Sequence, residues 1–125
     1  MIFDTDILIW AQRGNTKAAA LINKTDEFYI SIYTHMELMQ TAQKKEQHKI
    51  IKNFLKSFNV TVLPLTETIG HRASIYIEEY SLSHGLRAGD SIIAATAVEN
   101  NMTLASANVK HYKMIQELDF IVFKP

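Results

Sequence analysis

The sequence contains no cysteine, two prolines and four glycines in 125 residues. The absence of cysteine excludes disulfide bonds, zinc sites with thiolate ligands and a cysteine nucleophile, and it fits a reducing compartment. The glycines and prolines are scattered singly, and the chain shows no linker, repeat or low-complexity tract. We therefore expect one domain over residues 1–125, which is long enough to bury about two-thirds of its unfolded surface.

Long hydrophobic runs are also absent. The apolar stretches are only a few residues long, as around 92–98, whereas a helix needs ~20 apolar residues to span a bilayer. Asp4 and Asp6 lie where a signal peptide would carry basic residues. These features predict a soluble, cytoplasmic protein that does not associate with membranes.

Neither sign of charge is in excess, because 13 Lys and Arg residues balance 13 Asp and Glu residues. A neutral chain differs from the strongly basic architectural proteins that coat nucleic acids. Hydrophobic residues make up 47% and charged residues 21% of the chain, which is typical of a globular domain and excludes a disordered one.

Short apolar runs alternate with longer amphipathic segments along the chain. Helical spacing of apolar residues predicts helices over about 46–58, 66–83 and 90–98. The short runs predict five strands, at Ile2–Phe3 and at about 28–30, 60–63, 102–105 and 120–123. This alternation predicts an α/β fold, a three-layer α/β/α sandwich with a mostly parallel central sheet.

Polar residues follow the ends of the predicted strands, where open parallel sheets bind their ligands. Asp4 and Asp6 follow the first strand, and Glu37 follows the second. Asp90 opens an alanine-rich helix, and Asn108 follows the fourth strand. Each has an ordinary alternative: Asp4 and Asp90 are typical helix caps, Glu37 suits a solvated helix face, and Asn108 suits a turn.

The joint placement of these acids favours a metal site. Two like charges ~4 Å apart repel by about 4 kcal/mol at an effective dielectric constant of 20, so such a cluster needs a counter-ion. Mg²⁺ or Mn²⁺ prefers carboxylate oxygens, amide carbonyls and water. A cation of this kind activates water and neutralises phosphate oxygens, which points to phosphodiester hydrolysis.

Four sequence blocks occur in order along nearly the whole chain. They are Ile-Phe-Asp4-Thr-Asp6-Ile-Leu-Ile, Ser31-x-x-Thr34-x-x-Glu37-Leu38, Gly85-Leu86-x-x-x-Asp90-x-x-Ile93-Ala94-Ala95 and Leu104-Ala105-Ser106-x-Asn108-x-Lys110-His111-Tyr112. In these blocks the sequence resembles the PIN-domain family of metal-dependent ribonucleases, in particular the VapC-type toxins of bacterial type II toxin–antitoxin modules. The resemblance implies an α/β/α sandwich with Mg²⁺- or Mn²⁺-dependent endoribonuclease activity.

The resemblance also implies roles for individual residues. Asp4 and Asp90 would hold the metal, and Glu37 would bind it directly or through water. Asn108 would fill a fourth catalytic position, where many members have Asp, and Asp6 lies where the family often has Asn or Ser. We expect one well-held metal, because Asn108 removes one possible carboxylate.

Further residues are candidates for contacts with the substrate phosphate. Thr5 resembles the family's hydroxyl residue beside the first Asp, and Ser106 would orient water or the scissile phosphate. Arg87 and Lys110 are basic candidates beside the predicted site, and Asp6 is a candidate of undefined role. The resemblance further implies an RNA substrate, a cognate antitoxin and a homodimer.

A lysine stripe and the charge balance bear on RNA binding. Lys45, Lys49, Lys52 and Lys56 share one face of a predicted helix, where they provide either a solvated surface or RNA contacts. The predicted apolar stripe opposite contains Ile50, Ile51, Phe54, Leu55 and Phe58. If a metal pocket is formed by four acids, Asp4, Asp6, Glu37 and Asp90, nine acids remain against 13 bases, so the rest of the molecule carries +4. The five histidines are expected to be surface or packing residues.

Two alternatives stay open from the sequence. The first is a catalytically silent PIN-like scaffold that binds RNA or protein. The second is a haloacid-dehalogenase-type phosphatase, which the Asp4-x-Asp6 pair resembles. The phosphatase motif calls for Thr or Val at the position of Leu8, and it calls for a further Asp about four residues after Asp90, where this chain has Ile93, Ala94 and Ala95.

Overall fold

Five short strands form a single sheet in which every neighbouring pair is parallel. The structure is a computed structural model that describes residues 1–125. The strands are β1 (Ile2–Phe3), β2 (Tyr29–Ser31), β3 (Thr61–Leu63), β4 (Leu104–Ser106) and β5 (Phe120–Val122). The helices are α1 (Thr5–Gln12), α2 (Thr16–Asn23), α3 (Ile32–Gln40), α4 (Lys45–Ser57), α5 (Glu67–His84), α6 (Ala88–Glu99) and α7 (Val109–Tyr112). The five predicted strands are confirmed, with boundaries displaced by up to two residues.

The largest displacement of a predicted strand start is at β4. The sequence predicts a start at residue 102, and the strand begins at Leu104. The Met102 N–H donates to the carbonyl oxygen of Ala97, and Asn101 adopts a positive φ of 53°. Residues 101 and 102 therefore close the turn after α6 instead of extending the strand.

Helices cover both faces of the sheet, because successive side chains of a strand point to opposite sides. Ile2 and Leu104 pack in a core with residues of α5, α6 and α7. Phe3 and Ala105 pack in a second core with residues of α1 to α4. The predicted three-layer α/β/α sandwich is confirmed, and its sheet is wholly parallel.

The amphipathic pattern of α4 is confirmed except at one position. Ile51 and Leu55 are buried, and Phe54 and Phe58 pack partly against the same core. Ile50 was predicted to join this stripe, but its side chain is 63% exposed. It lies one position before the row formed by residues 51, 54, 55 and 58, so the helix turns it toward solvent. No helix of the structure combines the length and the apolar character required to cross a membrane.

The strand order β3-β2-β1-β4-β5 places a topological switch point between β1 and β4. From β1 the chain adds β2 and β3 on one side, then crosses over to add β4 and β5 on the other. Phe3 pairs with Ala105, so the next residues lie side by side: Asp4 follows the end of β1, and Ser106 is the last residue of β4. This is the position where doubly wound sheets form their binding crevices.

Candidate active site

Asp4 lies at the switch point and is held by three hydrogen bonds. Its Oδ1 accepts from the Thr5 N–H at 2.7 Å, and its Oδ2 accepts from the Ser106 hydroxyl at 2.6 Å. The Tyr112 hydroxyl also donates to Oδ2, at 3.1 Å. Asp4 is the N-cap residue of α1, as one of the sequence alternatives proposed, but it also makes contacts with β4 and α7 that capping alone does not need.

The pKa of Asp4 is raised to about 6, first by burial and then by the negative charge of Asp6. The hydrogen bonds from Ser106, Thr5 and Tyr112 lower the pKa and so offset only part of this rise. Asp4 is 4% exposed. The fold therefore holds a carboxylate where its ionisation is costly, which is characteristic of functional sites.

Asp6 lies in the first turn of α1 and reaches back to the end of β4. Its Oδ2 accepts from the Ala107 N–H at 3.0 Å, with the Ser106 hydroxyl at 3.4 Å. Its Oδ1 is buried and has no hydrogen-bond partner. Burial also raises the pKa of Asp6, although N–H groups of Ala107 and Ile7, the Ser106 hydroxyl and the charge of His111 oppose the rise.

Glu37 approaches the site from α3 and is held by Thr5. The Thr5 hydroxyl donates to Oε1 of Glu37 at 2.6 Å and lies 3.1 Å from the Thr34 hydroxyl. The Ser31 hydroxyl caps α3 by accepting from the Thr34 N–H at 3.0 Å. A row of hydroxyl groups thus joins the end of β2 to the start of α1 and orients the Glu37 carboxylate.

Asp90 lies in the first turn of α6, where its side chain is 18% exposed. The alternative that Asp90 caps this helix is wrong, because the helix starts at Ala88 and Arg87 occupies the N-cap position. Oδ2 of Asp90 lies 3.3 Å from Nδ1 of His111, although the geometry is not that of a hydrogen bond. His111 therefore lies beside Asp90, and its side chain is 38% exposed.

Two tyrosines connect the acids in space. Burial raises the pKa of Tyr112 well above its ordinary value, and the charges of Asp4, Asp90 and Asp6 raise it further. Burial also raises the pKa of Tyr33, together with the charges of Glu37 and Asp90. Tyr112 thus contacts Asp4 and is within range of the charges of Asp6 and Asp90, and Tyr33 is within range of the charges of Glu37 and Asp90.

The Tyr33 ring packs on the backbone of Gly89, next to Asp90. A Cβ atom built on Gly89 would lie 2.4 Å from Cζ and from the hydroxyl oxygen of Tyr33. Glycine at this position therefore allows α3 and α6 to approach each other with the tyrosine between them. This close approach brings the Glu37 helix and the Asp90 helix to the same edge of the sheet.

The remaining predicted residues divide into two groups. Ser106 is fully buried between Asp4 and Asp6, as expected for a site residue. Asn108, Arg87 and Lys110 are exposed, and neither basic residue forms a salt bridge. Asn108 is the N-cap residue of α7, but its side chain makes no capping hydrogen bond. The lysine stripe of α4, Lys45, Lys49, Lys52 and Lys56, is likewise exposed.

The carboxylates at this edge of the sheet are candidate ligands for a divalent cation. No three His, Asp or Glu side chains are close enough together to hold one ion as a group. Mg²⁺, however, keeps several waters and usually takes only one or two carboxylates from a protein. The buried Asp4, with its raised pKa, and the unpartnered oxygen of Asp6 fit a hard cation in both charge and ligand type.

Tyr33, Tyr112 and His111 are the residues that sequence reasoning missed at this site. Tyr112 belongs to the fourth sequence block, four residues after Asn108, so one helical turn brings it back toward the strand end. That spacing was a usable signal. The contacts of Tyr33 and His111 depend on how separate helices pack, and the sequence carries no equivalent signal for them.

Comparison with known proteins agrees with this arrangement. The PIN domain family model matches residues 1–116. Ribonuclease VapC10 from Mycobacterium tuberculosis is 33% identical over 125 residues, covering 94% of this chain and 90% of the relative. Ribonuclease VapC1 from Rickettsia felis is 30% identical over 128 residues, covering 97% and 94%.

Solved structures give the same result. A toxin–antitoxin complex from Klebsiella pneumoniae matches with a TM-score of 0.81 and 26% identity, covering 97% of this chain and 95% of that chain. VapBC-1 from nontypeable Haemophilus influenzae matches with a TM-score of 0.79 and 25% identity, covering 98% of each. The family match, the sequence relatives and the shared fold all agree with the resemblance in the four blocks, and the chain belongs to the PIN domain family.

Proposed function

We propose that this protein is a metal-dependent endoribonuclease and the toxin of a type II toxin–antitoxin system. The observation that carries the proposal is the buried Asp4 at the switch point, which shares the Ser106 hydroxyl with Asp6 and is followed by Thr5, the residue that holds Glu37. Two further findings support it: the relatives named above are ribonucleases, and one solved structure with the same fold is a toxin–antitoxin complex.

Asp4 and Asp90 would hold Mg²⁺ or Mn²⁺, with Glu37 binding directly or through water. When bound, such a cation supplies an activated water and neutralises phosphate oxygens. The hydroxyl of Thr5 fixes the direction of the Glu37 carboxylate. The Ser106 hydroxyl and the Tyr112 hydroxyl hold Asp4 in one rotamer, so its carboxylate needs no rearrangement to meet a ligand.

The exposed polar residues would act on the RNA. Arg87 and Lys110 lie on elements that border the acids, and their free side chains suit contacts with phosphates on either side of the scissile bond. Asn108 is placed to orient water or phosphate from the rim. Hydrolysis by water with departure of the 3′ oxygen leaves a 5′ phosphate on the product.

The domain, partners and location follow from the same proposal. We propose one PIN domain over residues 1–125 in a cytoplasmic protein that forms a homodimer and binds a cognate antitoxin. Exposed apolar side chains provide surface for such partners, including Met36, Ile50, Leu65 and Leu82. Light scattering of the purified protein checks the dimer, and a monomer at micromolar concentration contradicts it.

The test is cleavage of RNA by the purified protein. We expect cleavage with Mg²⁺ or Mn²⁺, none with EDTA, and at least a hundredfold loss in Asp4→Asn and in Asp90→Asn. The matched control is Asp26→Asn, which changes an exposed carboxylate in a loop and should cleave RNA like the wild type. RNA binding without cleavage favours the silent scaffold. A covalent phospho-aspartate at Asp4 favours the phosphatase, which the family match does not support.

A further inference from the structure

Asp6 is fixed to the end of β4 through only one of its two carboxylate oxygens. Oδ2 accepts a hydrogen bond from the Ala107 N–H at 3.0 Å and a longer one from the Ser106 hydroxyl at 3.4 Å. Ser106 donates its shorter bond, 2.6 Å, to Asp4. Asp4 and Asp6 therefore share a hydroxyl group and lie next to each other at the switch point.

The other oxygen of Asp6 is left free in a buried position. Oδ1 has no hydrogen-bond partner; the Ile7 N–H, which helps to lower the pKa of Asp6, makes its hydrogen bond to the carbonyl oxygen of Asp4 at 3.2 Å. A buried carboxylate oxygen without a partner costs stability, because it loses its hydration and gains nothing in return. Retaining such an oxygen is understandable if a ligand completes its coordination.

The neighbours of Asp6 show where that ligand would lie. Its charge acts on Tyr112 together with the charges of Asp4 and Asp90, and the charge of His111 acts on Asp6. Asp6 also shares the Ser106 hydroxyl with Asp4, so it lies beside one of the two carboxylates proposed to hold the metal. No lysine or arginine forms a salt bridge with it.

Asn108 does not supply a ligand on this side of the site. Its side chain is exposed and makes no capping bond, and its backbone N–H donates to the Ser106 hydroxyl at 3.0 Å. The end of β4 and the residues after it thus offer a hydroxyl group and backbone donors, and the carboxylates that they contact are those of Asp4 and Asp6.

We propose that Asp6 supplies the metal-facing carboxylate on the β4 side of the site, where the side chain of Asn108 supplies none. The inference rests on the proposed function and goes further, because it assigns a metal-binding role to the carboxylate whose function the family resemblance left undefined. The two carboxylate oxygens of Asp6 have separate roles in this proposal. Oδ2 fixes the carboxylate to the end of β4, and Oδ1 is the oxygen left free to bind the metal.

The test measures Mn²⁺ binding by calorimetry without RNA, so it does not depend on activity. Asp6→Asn keeps an oxygen for the Ala107 N–H and replaces the free oxygen with an uncharged amide. We expect its Mn²⁺ affinity to fall at least tenfold. Asn108→Ala and the exposed control Asp26→Asn should each stay within threefold of the wild type.

A second measurement separates a lost ligand from a lost fold. In EDTA, Asp6→Asn should melt at or above the wild-type temperature, because it removes a buried like charge beside Asp4. In Mn²⁺, the variant should gain less thermal stability than the wild type.

Each outcome has one meaning. Wild-type Mn²⁺ affinity in Asp6→Asn, or a tenfold loss in Asn108→Ala, overturns the assignment while the ribonuclease proposal stands. A wild type that neither binds Mn²⁺ nor cleaves RNA overturns the proposed function and this inference together.

Discussion

The unusual ionisation of Asp4 makes the stability of the metal-free protein depend on pH. The pKa of Asp4 is about 6 in the folded protein, against 3.8 for an unperturbed Asp. Between these values the folded state binds more protons than the unfolded state, so the free energy of unfolding falls as the pH rises. A difference of roughly two pKa units corresponds to about 3 kcal/mol.

The stabilisation is complete below pH 4 and is lost as the pH rises through 6. Asp6 acts in the same direction, because burial raises its pKa too. Asp4→Asn removes the ionisation and keeps nearly the same shape. The amide cannot accept all the bonds that Asp4 receives from Ser106 and Tyr112, which costs about 1 kcal/mol for each lost bond at every pH.

The assay is urea unfolding in EDTA at steps between pH 4.5 and 8. We expect the wild type to lose stability relative to Asp4→Asn by about 2 kcal/mol across this range. Asp26→Asn should run parallel to the wild type. Parallel curves for Asp4→Asn and the wild type would show that Asp4 ionises normally and would refute the reasoning. Saturating Mn²⁺ should stabilise the wild type at pH 8 and have a smaller effect on Asp4→Asn.

Four further changes test the packing of the fold and the orientation of the site. Gly89→Ala drives a methyl group into the Tyr33 ring and should cost about 1–3 kcal/mol of stability. Gly70→Ala, at a helical glycine with open space around it, should instead stabilise by about 0.5–1 kcal/mol, and urea unfolding measures both. Thr5→Val removes the hydroxyl that donates to the Glu37 carboxylate and should reduce RNA cleavage about 10–100-fold. An unchanged circular dichroism spectrum should show that the variant is folded. Leu104→Ala empties a fully buried position and should cost about 2–5 kcal/mol in the same unfolding assay.

The sheet and its acids were predictable because they depend on local patterns. Short apolar runs set the strands, and parallel strands bring the residues after them to one edge. Asp4 and Asp6 are therefore expected near the end of β4, where Asp4 accepts a hydrogen bond from Ser106 and Asp6 accepts one from Ala107. Topology alone predicts this proximity, and no side-chain conformation has to be known for it.

The details of the site that sequence patterns do not predict depend on packing between elements distant in sequence. Asp90 has the appearance of a helix cap after a glycine, but the helix begins two residues earlier and leaves its carboxylate beside His111. Tyr33 lies against Gly89 because α3 and α6 approach closely, which no periodicity reveals. Asn108 was expected among the acids, and its exposure follows from its place at the turn into α7.

The neutral net charge can now be interpreted in structural terms. Four of the 13 acids, Asp4, Asp6, Glu37 and Asp90, lie on elements that meet at one edge of the sheet, so nine acids remain against 13 bases and the remainder carries +4. The exposed lysines of α4 contribute to this excess of positive charge. Neutrality is therefore the sum of an acidic site and a basic remainder, which suits a metal-dependent enzyme that acts on RNA.

The most direct test of the ribonuclease proposal is to map RNA 5′ ends in cells after induced expression. The wild type and Asp90→Asn are compared at equal protein levels. We predict new ends carrying a 5′ phosphate at defined sites with the wild type, and none above background with Asp90→Asn. The same ends in both strains, or no new ends with a well-expressed wild type, would contradict a ribonuclease centred on these acids.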